Sequence, residues 1–99
     1  MAKYGLVGRN IDYSFSRGFF NAKFKREERA DQYENFDLSS IEKLDDFLAN
    51  QSDLKGFNVT IPYKEAIIPF LNELSSTVRE IGAVNTVVIK EDGALIGHN

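Results

Sequence analysis

The sequence is 99 residues long, with 12 basic and 15 acidic side chains, a net charge of −3 and 42% hydrophobic residues. That length supports one domain with its own core. The acidic balance argues against a nucleic-acid or anionic-membrane surface, while zero cysteines and one histidine exclude disulfides, thiolate chemistry and a histidine-rich metal site, so no metal is expected.

Met1-Ala2-Lys3-Tyr4 carries no apolar leader, and no apolar run approaches a membrane span. The expected compartment is the cytoplasm. Tyr4-Gly5-Leu6-Val7-Gly8, an apolar run bounded by glycine, predicts a buried first strand. A polar loop, Arg9-Asn10-Ile11-Asp12-Tyr13, leads to Ser14-Phe15-Ser16. An extended backbone there puts Ser14 and Ser16 on one side and Phe15 behind them as an anchor, which suits a polyhydroxylated ligand. Helix capping is the alternative for Ser16; it does not account for Ser14. Phe19, Phe20 and Phe24 recur at helical spacing and predict a helix over residues 17–29, with Lys23, Lys25, Arg26, Glu27 and Glu28 in water.

Residues 31–37, with Tyr33 and Phe36, predict a second strand near a sheet edge. Ser39-Ser40-Ile41-Glu42 has capping-box spacing with Ser39 as the cap, and the stripe Ile41, Leu44, Phe47, Leu48 predicts a helix to about residue 50. In the stretch Gly56-Phe57-Asn58-Val59-Thr60-Ile61, alternation places Phe57, Val59 and Ile61 on one face and Asn58 with Thr60 on the other. Pro62 ends this strand and suits the first turn of a helix through Ala66, Ile67, Ile68 and Phe70, which Pro69 shortens or kinks. Lys64 then lies at a helix N-terminus, whose partial positive charge disfavours an ammonium. That makes it a candidate proton-transfer group, with a solvated lysine beside Glu65 as the alternative.

Residues 74–81 predict a further helical piece closed by Gly82, and residues 83–90 a strand. Glu91-Asp92-Gly93 is a turn signal, and Ala94-Leu95-Ile96 returns as the other arm of a hairpin. Alternating strands and helices give the expected class: α/β, a three-layer αβα domain with a mixed, mainly parallel sheet ending in an antiparallel hairpin. Asn85, near the start of its strand, joins Ser14, Thr60 and Lys64 at the sheet's carboxyl edge only if that strand runs antiparallel to the first ones. The hairpin then returns His98-Asn99 to the same rim, where open α/β sheets bind ligands. A buried asparagine satisfying loose backbone groups is an equal alternative for Asn85.

The segment Asn58-Val59-Thr60-Ile61-Pro62-Tyr63-Lys64-Glu65 resembles the motif of the shikimate dehydrogenase family, in which the lysine is the catalytic acid/base. Three further stretches agree in order and separation: Tyr4 to Gly8 leading to Ser14-Phe15-Ser16, Gly82-Ala83-Val84-Asn85-Thr86, and Gly97-His98-Asn99. The resemblance spans essentially the whole chain. One departure is Arg17-Gly18, where the family has proline directly after the second serine, which unsettles the helix start.

The resemblance implies reversible NADPH-dependent reduction of 3-dehydroshikimate to shikimate, a step of aromatic amino-acid biosynthesis. Lys64 would be catalytic, Ser14 and Ser16 would hold the substrate carboxylate, and Asn58, Thr60 and Asn85 would complete the cradle. No G-x-G-x-x-G follows any predicted strand, so no cofactor-binding residue is expected here. The family binds NADP in a downstream domain, and an aspartate that pairs with the lysine follows a Gly-x-Asn-Thr segment. Residues 1–99 are therefore expected to be the substrate-binding half of a two-domain enzyme, most simply a truncated form, inactive alone. The rivals are a quinate/shikimate dehydrogenase using NAD and a stand-alone, non-catalytic hydroxy-acid-binding module. Oligomeric state is left open.

Overall fold

The computed structural model describes every residue except Met1, Asp12, Tyr13 and Phe15; the anchoring role expected of Phe15 lies outside the described residues. The sheet begins in sequence with β1 (Lys3–Gly8), whose last four residues are buried. It pairs in parallel with β2 (Gln32–Asp37) on one side and β3 (Leu54–Val59) on the other. Beyond β3 come β5 (Thr86–Ile89), antiparallel, then β6 (Leu95–His98), which the hairpin returns parallel to β1. The order is β2-β1-β3-β5-β6-β4, with the two-residue β4 (Glu73–Leu74) as the far edge.

Strand register sorts the side chains into two faces. Leu6, opposite Asn35 and Asn58, shares a face with Tyr33 and Thr86, while Val7 shares the other with Phe36, Val59 and Val87. On the first face lies α1 (Ser16–Arg26), whose Phe24 packs with Leu6, Ile11 and Tyr33 in a small core. The second face carries α2 (Leu44–Ala49) and α3 (Ser76–Ile81); Leu44 and Val78 enter the larger core around Val7, Val59 and Val87. Three layers result, as expected. None of the described helices is long and apolar enough to cross a membrane.

Five local expectations are corrected. The antiparallel hairpin closes the run of strands as expected, but Glu73 and Leu74 form a short strand that was not expected, opposite Ile96 and Gly97. Helix α3 starts later because Ser75 is its cap, its hydroxyl accepting from the Val78 amide at 3.3 Å. The cap after β2 is Ser40 rather than Ser39, and it opens a 3-10 turn, Ile41–Lys43, ahead of α2. Helix α1 ends at Arg26, three residues early, with Glu28 at φ 55° and the Arg29 amide reaching back to the Phe24 carbonyl at 2.8 Å.

The fifth correction matters most for the site. No helix starts at Pro62: the Ile61–Pro62 peptide is cis, residues 61–67 hold mainly turns, and a 3-10 turn, Ile68–Phe70, follows. The Lys64 carbonyl, which a helix would offer to the Ile68 amide, accepts instead from the Val84 amide at 2.8 Å. The Ile68 amide turns to the Glu65 carbonyl at 3.1 Å, giving the tighter pattern. Lys64 thus has no α-helix N-terminus behind it, and the electrostatic argument for its reactivity loses its helix.

Candidate functional site

The carboxyl ends of β1, β3 and β6 and the amino end of β5 meet at one rim, which backbone bonds knit together. The Thr60 amide donates to the Val7 carbonyl (2.9 Å), Arg9 to Ile61 (3.2 Å), Val59 to Asn85 (2.9 Å) and Asn85 to His98 (3.0 Å). The antiparallel direction of β5 brings Asn85 to the end of β3, as its sequence position required.

Ser14 stands on a loop held from below by β2. Asp37 accepts the Asn10 and Ile11 amides at 3.1 and 3.2 Å, and the Asn35 carboxamide donates to the Ile11 carbonyl at 3.3 Å. That carbonyl also accepts from the Ser14 amide at 2.9 Å. The Ser14 hydroxyl accepts from the Ser16 amide at 3.3 Å, and Ser16 is the first residue of α1. Capping thus involves Ser14, the serine it was not expected to explain, and the helix begins before Arg17-Gly18.

Thr60 lies just past β3, its methyl against Gly8, where an added Cβ would come within 2.7 Å of it. Lys64 is exposed, in a recess of about 260 Å³ with Ile61, Pro62, Glu65 and Ala83. Ile61 is 71% exposed there, although its strand alternation assigned it to the apolar face. Its carbonyl accepts from Arg9 and its side chain faces outward past the strand's end.

Asn58 is not free at the rim. Its Oδ1 accepts from the Tyr33 hydroxyl at 2.9 Å, and its Nδ2 faces the Thr86 hydroxyl at 3.2 Å and the Asn85 carbonyl at 3.4 Å. Thr86 in turn donates to Asn85 Oδ1 at 3.0 Å. Burial pushes the Tyr33 phenol up to about 12, so its hydroxyl stays protonated. Tyr33, Thr86, Asn35 and Asp37 are contributors that sequence reasoning missed. Each reads as an ordinary strand residue, and only the register of β2 and β5 against the central strands brings it to its partner.

Fold and rim together define an α/β domain that presents neutral hydrogen-bonding side chains and one lysine at strand ends, a small-molecule-binding arrangement. Residues 6–87 match the shikimate dehydrogenase substrate binding domain, and the chain belongs to that family. It is 45% identical over 97 residues to a shikimate dehydrogenase (NADP(+)) of Clostridium botulinum, covering 96% of this chain and 37% of that protein. The structure of shikimate 5-dehydrogenase from Thermus thermophilus in complex with shikimate is similar at 30% identity and TM-score 0.88, over 100% of this chain and 38% of that one. Quinate dehydrogenase from Corynebacterium glutamicum in complex with NAD is similar at 34% identity and TM-score 0.84, over 99% of this chain and 37% of that one.

Proposed function

We propose that the chain is the substrate-binding half of an NADP-dependent shikimate dehydrogenase, catalysing reversible reduction of 3-dehydroshikimate to shikimate in the cytoplasm. The observation that carries this reading is the antiparallel β5, which brings Asn85 beside the end of β3, at the rim that also carries Ser14 and Lys64. The similarity to a shikimate-bound relative supports the same ligand.

In this reading Ser14 and Ser16 hold the substrate carboxylate, and Asn58, Thr60 and Asn85 complete the cradle around ring hydroxyls and carboxylate. Lys64, exposed at the rim, gives its proton to the ketone oxygen during reduction and takes one from the alcohol in reverse. The described residues hold no glycine-rich phosphate loop, so the cofactor does not fit this chain; a nicotinamide, which would supply hydride chemistry, belongs to another domain. A second reading, a quinate/shikimate dehydrogenase using NAD, is favoured by the similarity to the quinate enzyme.

The test is a shikimate titration of the 99-residue chain followed by backbone amide shifts, with quinate and Lys64→Ala as comparisons. The expected result is saturable shifts around Ser14, Ser16, Thr60 and Asn85, weakened by Lys64→Ala, with no turnover when NADP is added. Shifts stronger with quinate would favour the second reading. Cofactor-dependent turnover by this chain alone would overturn the two-domain assignment.

A further inference from the structure

We infer that Tyr33 is a positioning residue: by donating to Asn58 it reinforces the orientation that the Asn85 carbonyl sets, and through Thr86 this leaves the N–H₂ end of the Asn85 carboxamide, rather than its oxygen, for the ligand. The inference rests on the proposed substrate site and adds a residue whose own side chain is buried beneath it.

The argument follows the direction of each hydrogen bond. A carboxamide can be turned end for end, so its orientation must be set by partners that can only donate or only accept. Here the fixed point is the Asn85 backbone carbonyl, an acceptor only, which lies 3.4 Å from Asn58 Nδ2. The opposite orientation would set Asn58 Oδ1 against that carbonyl, oxygen facing oxygen. Asn58 Oδ1 therefore points away, and the Tyr33 hydroxyl donates to it at 2.9 Å. Asn58 Nδ2 also donates to Thr86 Oγ1 at 3.2 Å, leaving the single Thr86 hydrogen for Asn85 Oδ1 at 3.0 Å. With its oxygen taken, Asn85 keeps two N–H bonds, and among the described residues its Nδ2 has one long contact, Asn99 Oδ1 at 3.4 Å.

Each link of the relay uses up the alternative at the next. Tyr33 is suited to the far end because its ring stacks on Phe20, centroids 4.7 Å apart, and its hydroxyl has little freedom to turn elsewhere. An oriented chain of this kind is stronger than isolated pairs. The chemical consequence is selectivity: Asn85 so held recognises an oxygen acceptor, such as a carboxylate, a carbonyl or the lone pair of a hydroxyl.

The experiment uses Tyr33→Phe, which removes the hydroxyl and keeps the ring, alone and combined with Asn85→Ala, and measures shikimate affinity and the asparagine side-chain N–H₂ resonances. If the relay operates, Tyr33→Phe moves the Asn58 and Asn85 N–H₂ signals without ligand and weakens shikimate about three- to tenfold, the worth of one hydrogen bond. It adds nothing once Asn85 is alanine. Unmoved Asn85 signals, or losses that add in the double variant, overturn the proposal. Should Tyr33→Phe fail to fold, Thr86→Val runs the same cycle, and Thr86→Ser, which returns the hydroxyl, must recover most of the affinity; no recovery overturns it. If the wild-type chain does not bind shikimate, that half-site reading falls, while the ligand-free side-chain signals still decide the relay.

Discussion

Gly8 shows how one absent side chain shapes the rim. A Cβ there would lie 2.7 Å from Thr60 Cγ2, 2.8 Å from Ile11 Cγ2 and 3.0 Å from the Ile61 carbonyl oxygen. The first two could yield by small rotations; the third is backbone and cannot move without dragging the turn that carries Lys64. Gly8→Ala is therefore expected to cost about 1–3 kcal/mol of stability, the usual range for overpacking, and to weaken shikimate binding as well. Chemical denaturation and a ligand titration on the same variant check both halves. Loss of stability with unchanged affinity would uncouple Gly8 from the site. The same scale shows why Asn58 was only partly legible. Its position beside Thr60 followed from alternation, but its engagement by Tyr33 and Thr86 needed strand register, which no single segment encodes.

Among the elements, α3 is the clearest case of one residue defining a boundary. It is six residues long, and too short to persist without its cap and its packing through Val78. Ser75→Ala removes the hydroxyl that accepts the Val78 amide and is expected to cost about 1 kcal/mol, read as a lower urea midpoint with an unchanged slope. Five of the six strands were legible because their apolar runs are flanked by turn residues, and so were Gly82 (φ 77°) and Gly93 (φ 89°) as turning points. The second β-strand was placed at an edge by its charge, correctly. Two readings failed for one reason: local pattern competed with distant backbone partners. Leu74 looked helical until its strand partner Gly97 is considered, and residues 62–70 looked helical until Val84 takes the Lys64 carbonyl.

At the scale of the molecule, the two faces of the sheet are unequally filled. The small core under α1 depends on four buried side chains, Leu6, Ile11, Phe24 and Tyr33, and one of them is a phenol. Its folded-state value of about 12 lies above the ordinary 10.0. Below 10 both folded and unfolded forms keep the proton, and its contribution is complete. Between about 10 and about 12 the unfolded chain ionises first, so rising pH draws the protein toward unfolding. Thermal midpoints should hold steady up to about pH 9.5 and fall beyond it, and Tyr33→Phe should flatten that fall relative to the wild type. A wild-type decline that the variant reproduces in full would place the cause elsewhere.

The two ends of the strand order have a consequence for how copies of the chain behave when crowded. An open sheet edge is a template on which another chain can add a strand, the first step toward aggregation. One edge here is β2, whose sequence Gln-Tyr-Glu-Asn-Phe-Asp sets Glu34 and Asp37 along the border. The other, β4, offers two residues of ladder and then turns into the Ser75 cap. A recruited strand would meet carboxylates on one side and run out of partners on the other, so the sheet is guarded against growth at both borders.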